Sequence, residues 1–239
     1  MFLNWYLEAL RWKVSVQVFE PISIQDAVRI ILAGLSLNWV LPFTSGDLLV
    51  RLSQQVDKYQ TTSAAVLNRG VMISFTAIIG LYGMSKLAEQ YDFNGWYALI
   101  LLLIFPLMTW IFRKTLARFL NYFRSIDRSI LIKIVGISFL RYTVFTFQFF
   151  LLLETFLPHL PAHLLIAGIG WIFLVRSILP LLLGGVGVRE VSGIVFFESH
   201  VSNLQMVIIP IFLIWVINTV IPSLVGLIFI WRFKANIAR

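Results

Sequence analysis

From Met206 to Trp231 the chain carries no charged residue, a run longer than the roughly 20 helical residues needed to cross a bilayer core. Residues 65–85 and 131–157 are almost as apolar, and 96–112 qualifies with its Trp and Arg flanks. Composition agrees: 59% of the 239 residues are hydrophobic, 13% are charged and the mean hydropathy is +0.90. A water-soluble domain of this length needs far more charge to cover its core. The expectation is an all-α integral membrane protein. The absence of cysteine excludes disulfides, thiolate metal sites and cysteine nucleophiles.

The net charge of +8 would suggest nucleic acid in a soluble protein. Here the basic residues fall between apolar runs, where anionic lipid and the positive-inside rule account for them, so no nucleic-acid partner is expected. Between Arg113 and Lys133 stand Arg113, Lys114, Arg118, Arg124, Arg128 and Lys133 against Asp127 alone. That loop and the tail with Arg232, Lys234 and Arg239 are assigned to the cytoplasm, and the spans then alternate without conflict. The first 20 residues, with Trp5, Tyr6, Arg11, Trp12 and Lys13, read as an interfacial anchor or a partial helix, and 21–239 as one polytopic membrane domain.

Two regions remain, 22–58 and 163–200. Each must begin and end on one side, and the second limb of each is too short to cross about 30 Å at about 1.5 Å per residue. Both are expected to be re-entrant hairpins, one from each face, beside about four full spans. Leu41-Pro42-Phe43-Thr44-Ser45-Gly46-Asp47-Leu48-Leu49-Val50-Arg51 aligns without a gap on Leu179-Pro180-Leu181-Leu182-Leu183-Gly184-Gly185-Val186-Gly187-Val188-Arg189. Leu, Pro, Gly and Arg coincide, which reads as an inverted repeat.

At these residues the chain resembles the family named for the transmembrane region of lysylphosphatidylglycerol synthases, the flippase-like domain family. The resemblance rests on Glu8-Ala9-Leu10-Arg11-Trp12-Lys13, on Asn38 with Leu41-Pro42 and Gly46-Asp47 to Arg51, and on Pro180 with Gly184-Gly185-Val186-Gly187-Val188-Arg189-Glu190. It implies a protein of a bacterial or archaeal cytoplasmic (inner) membrane that moves or handles anionic, aminoacylated or polyprenyl-linked lipids. Family members carry one or two further helices upstream, whereas this sequence starts ten residues before Arg11, as a short variant or a trimmed product would. It has no aminoacyl-transferase domain, so the synthase half of the namesake enzymes is not implied.

The expected substrate site is a midplane cavity between the hairpin tips. A proline followed by glycine breaks a membrane helix, and the freed backbone groups must be satisfied by protein or a wet cavity. The limbs restarting after Gly46 and Gly184 offer N–H groups and a positive dipole end to a phosphate, and Gly184, Gly185 and Gly187 allow close backbone approach. Alternatively these glycines only permit tight packing. Asp47 and Arg51 stand four apart, acid first, and can pair on one helix face. Arg189 has Gly185 at the equivalent position and is the freer cation, with Glu190 pointing about 100° away. The competing reading locks the repeats through Asp47 with Arg189 or Glu190 with Arg51. Arg176, one turn before Pro180, lines the cavity or pairs with Glu154. Asn38, one turn before Pro42, caps the broken helix or meets the ligand. His159, His163 and His200 lack the spacing of a metal site, and no cofactor or catalytic constellation is expected. Two alternatives to lipid translocation stay open: a membrane enzyme acting on a lipid phosphate with Asp47, Glu154 or Glu190 as base, and a subunit docking a synthase through the loop at 113–133. A homodimer is compatible with any of these.

Overall fold

The computed structural model describes residues 1–41, 45–91, 126–179 and 187–237, with side chains as far as Ile230. Among these residues every regular element is helical. They are α1 (Phe2–Val16), α2 (Ile24–Leu37), α3 (Ser45–Gln54), α4 (Lys58–Gln90), α5 (Arg128–Phe156), α6 (Ala162–Ile178), α7 (Val188–Phe197), α8 (Gln205–Trp215) and α9 (Ile221–Ile237), with one π-helical turn, Val216–Val220, joining the last two.

Three stretches are long and apolar enough to cross a membrane: Lys58–Gln90, Arg128–Phe156 and Gln205–Ile230. They answer to the spans expected at 65–85, 131–157 and 206–231; the one expected at 96–112 lies outside the described residues. At about 1.5 Å per residue each exceeds a 30 Å core. Their outward faces stay apolar, with Ile73, Ile78, Phe139, Phe147, Leu227 and Ile228 all more than half exposed. Water would penalise such a surface, whereas lipid would not. Local sequence fixes the helix starts. Asp57 accepts from the Gln60 amide (2.9 Å), Ser23 from Asp26 (3.1 Å) and Asp127 from Ser129 (2.9 Å), each occupying one orphan donor of a first turn. Pro222 has no N–H for the carbonyl one turn back, and the π turn ends two residues before it.

The regions 22–58 and 163–200 each form a pair of short helices that pack on each other, α2 with α3 and α6 with α7. Their lengths of 14, 10, 17 and 10 residues give at most about 26 Å, so none crosses a bilayer core alone. The first pair rests on the end of the chain, α2 against α9; the second rests on the first long helix, α6 against α4. Two apolar clusters follow this division. One gathers around α1, α2 and the N-terminal halves of α4 and α5, and the other around α6, α7, α8 and the C-terminal halves. The α4–α6 contact is close enough to exclude any side chain at Gly83, where an added Cβ would lie 2.3 Å from the Ala167 carbonyl oxygen.

The amino-terminal segment departs from the interfacial expectation. Helix α1 packs against α5, α2 and α4, and Ala9, Trp12 and Val16 are fully buried. Arg11 is only 4% exposed. Arg11 and Trp12 are therefore interior residues rather than anchors, because the face carrying Ala9, Trp12 and Val16 is apolar and Arg11 finds a carboxylate inside the bundle.

Candidate functional site

A charged guanidinium or carboxylate in an apolar interior is stable only when paired and hydrogen-bonded. Glu8 supplies the pairing at the centre of this one. Its Oε2 accepts from Arg11 Nη2 (2.5 Å) and lies 3.3 Å from Arg141 Nε, and its Oε1 accepts from Arg51 Nη2 (3.1 Å). One carboxylate thus bridges three arginines on α1, α3 and α5. Helical spacing places Arg11 one turn after Glu8, while Arg51 and Arg141 are brought in by packing.

Arg51 also donates to Asp47 through Nε (2.9 Å), and its guanidinium carbon lies 4.1 Å from the centre of the Trp12 ring. Asp47 is in turn 3.9 Å from Arg69. Arg11 reaches onward to the Asn68 carbonyl and Ser138 Oγ, both at 3.2 Å, and Ser15 Oγ donates to Asn68 Oδ1 (3.0 Å). Four arginines therefore meet two carboxylates, leaving the network positive. The positive field continues along the bundle: Arg176 feels the charge of Arg141, and Arg189 that of Arg176.

The ends of the two short-helix pairs converge elsewhere. Trp39, just past α2, lies against Trp215 at the end of α8 with ring centres 5.6 Å apart. Arg189, in the first turn of α7, holds its guanidinium carbon 5.7 Å from the same Trp215 ring. The π turn starts at the next residue, and its Asn218 joins α1 and α5 by accepting from Asn4 Nδ2 and donating to Gln148 Oε1, both 3.2 Å. Such turns recur at functional sites because they displace the helical register locally.

Of the residues singled out in the sequence, Asp47 and Arg51 pair as their spacing predicts. Asn38 is a cap: its Oδ1 accepts from the Asp47 amide (3.0 Å), so the side chain closing α2 also starts α3. Gly46 permits that junction, since a Cβ there would stand 2.5 Å from the Leu37 carbonyl carbon. Gly187 has φ 88°, a left-handed conformation that only glycine adopts without strain, and its amide donates to Glu190 Oε2 (2.7 Å). The Asp47 and Gly187 amides are thus already taken and do not await a phosphate. Pro42, Pro180, Gly184 and Gly185 lie outside the described residues.

Three expectations are corrected. Arg189 is not a free cation, being 3% exposed and engaged in the interior. The lock between Glu190 and Arg51 gives way to Glu190 capping its own helix and Arg51 joining Glu8. Among the described residues no ion pair joins Arg176 to Glu154, which is exposed on α5.

Sequence reasoning named Glu8 only within the resemblance and gave it no role, missed Trp39 and Trp215, and assigned Trp12 to an interfacial anchor or partial helix. The acid three residues before Arg11, inside an apolar helix, was the available signal for Glu8. At one end of the bundle Lys86, Glu89, Gln90, His163, Leu164 and His200 line a shallow cavity of about 380 Å³. Beside it the Tyr91 hydroxyl donates to Glu198 Oε1 (2.5 Å), which holds that phenol's pKa above its ordinary value.

Fold and site define a helical chain of membrane-spanning character with a buried, net-positive arginine–carboxylate network. Compared with protein-family models, curated proteins and solved structures, the chain matches none.

Proposed function

We propose that this chain is a flippase-like protein of a cytoplasmic membrane that moves an anionic, aminoacylated or polyprenyl-linked lipid across the bilayer. The head group would be held between the ends of two re-entrant hairpins. The observation that carries this reading is the meeting of Trp39 and Arg189 on Trp215, because it joins the ends of both short-helix pairs against one span. An inverted repeat puts its substrate site at that interface. The reciprocal packing of α2 on α9 and α6 on α4 also favours such a repeat. The excess of arginine sets the sign of the guest as negative.

The enzymatic alternative needs a carboxylate free to act as base. Asp47 is held by Arg51, Glu190 by the Gly187 amide, and Glu154 stands on the exposed face. Translocation is therefore the stronger reading. The docking alternative depends on the loop at 113–133, outside the described residues.

Reconstitution tests the proposal. Fluorescent phosphatidylglycerol should cross proteoliposome membranes faster than fluorescent phosphatidylcholine, and Arg189→Gln should abolish the difference while the protein still melts cooperatively. Movement no faster than in protein-free vesicles, or normal movement by R189Q, would overturn it.

A further inference from the structure

Around Arg51 the hydrogen-bonding groups do not balance. Five buried nitrogens there lack an acceptor among the described residues: Arg51 Nη1, Arg11 Nε, Trp12 Nε1, Asn68 Nδ2 and Gln55 Nε2. One buried acceptor, Gln55 Oε1, is also unmatched. The residues are closed off from solvent, with Trp12 at 0%, Gln55 and Asn68 at 2%, Arg51 at 3% and Arg11 at 4% exposure. They come from α1, α3 with the residue just after it, and α4. Gln55 is the first residue past α3, four positions after Arg51, and the Trp12 ring lies 4.1 Å from the Arg51 guanidinium carbon. Buried donors are almost always matched, so a surplus of one kind marks the chemistry of what would match it.

We infer that α1, α3 and α4 enclose a subsite for a phosphate oxyanion, with Arg51 Nη1, Trp12 Nε1 and the Gln55 amide as its principal donors. Oxyanions are accepting groups, and a phosphate oxygen takes charge-assisted hydrogen bonds from guanidinium and indole N–H alike. Glu8 makes the exchange electrostatically feasible. It holds Arg51 by Oε1 but Arg11 and Arg141 by Oε2, so Arg51 can turn toward an incoming anion without stranding the carboxylate. The subsite is occluded, and entry requires α3 to move relative to α1. It rests on the proposed lipid substrate only for the source of the phosphate. Binding without transport would leave this subsite standing and remove the translocation reading.

Two variants separate ligation from folding. Trp12→Phe keeps the aromatic face under Arg51 and removes the indole N–H, and Gln55→Leu removes a buried amide at similar volume. Full-length protein in neutral detergent is melted against inorganic phosphate at fixed ionic strength, with chloride as the control anion. A parallel series uses short-chain phosphatidylglycerol. Phosphate or the lipid should raise the melting temperature where chloride does not, and each variant should weaken that binding about tenfold, the loss of roughly one hydrogen bond to a charged group. The better stabiliser identifies the source of the phosphate. Without ligand, Q55L should melt no lower than the natural chain, since it deletes an unmatched polar group. No specific stabilisation by either probe, stabilisation undiminished in both variants, or a Q55L that melts lower and binds normally would each overturn the inference, the last by assigning the amide to a bound water.

Discussion

Replacing Glu8 by Gln probes the network at the one group on which three arginines depend. The substitution keeps the shape and removes the charge, leaving Arg11 with neutral acceptors alone: the Asn68 carbonyl, Ser138 Oγ and one amide oxygen at position 8. Arg51 retains Asp47, so the loss falls mainly on Arg11 and on Arg141, which is 26% exposed. Removing one partner from a buried ion pair costs about 3–5 kcal/mol. With Arg11 at 4% exposure the main contribution is of that order, and the more exposed pairing to Arg141, at 3.3 Å, adds less. Unfolding in mixed micelles by graded SDS gives the free energy directly. The double variant Glu8→Gln with Arg11→Gln should recover more than half of the loss, because it removes the stranded charge along with its partner. Glu89→Gln, which breaks an exposed pair with Lys86, should leave the curve unmoved. A cost below about 1 kcal/mol for E8Q, the range of solvated pairs, would refute the claim that Glu8 pairs Arg11 away from solvent.

The cap and the close contacts yield further tests. Asn38→Ala should cost about 1 kcal/mol in the same assay, the usual worth of an N-cap, with Asn38→Asp losing less. Gly46→Val should lower the yield of folded protein sharply, since its side chain would meet the Leu37 backbone; normal folding would show that the α2–α3 junction is looser. Gly83→Val should act likewise by forcing α4 from α6. Asp47→Asn with Arg51→Gln should be more stable than Arg51→Gln alone, because the single change leaves Asp47 with only the more exposed Arg69, 3.9 Å away.

The long helices were legible in the sequence because hydrophobic length is set by the bilayer and needs no knowledge of neighbours. Short-range chemistry was legible too: Asp47 with Arg51 is encoded by helical spacing, and Asn38 as a cap by its place one turn before Pro42, although the amide it caps belongs to the next helix. Arg11 was misread because its charge pattern is that of an interfacial anchor, and only packing reveals that Asn68 and Ser138 surround it. Trp39 and Trp215 could not be paired from sequence, since 176 positions separate them and an aromatic near a membrane helix end ordinarily belongs to the interface. The expectation that Arg189 is free came from the glycine one turn before it. Spacing reports what one helix offers, and α8 supplied the aromatic partner instead.

The central claim is that the arginine-lined interior holds an anionic lipid head group, and the lipids that leave the membrane with the protein test it most directly. Mass spectrometry of protein extracted in mild detergent should find one anionic or polyprenyl phospholipid enriched over its share of the source membrane, with the enrichment lost in R189Q. Co-purifying lipids in the proportions of the bulk membrane, unchanged by that substitution, would contradict the account.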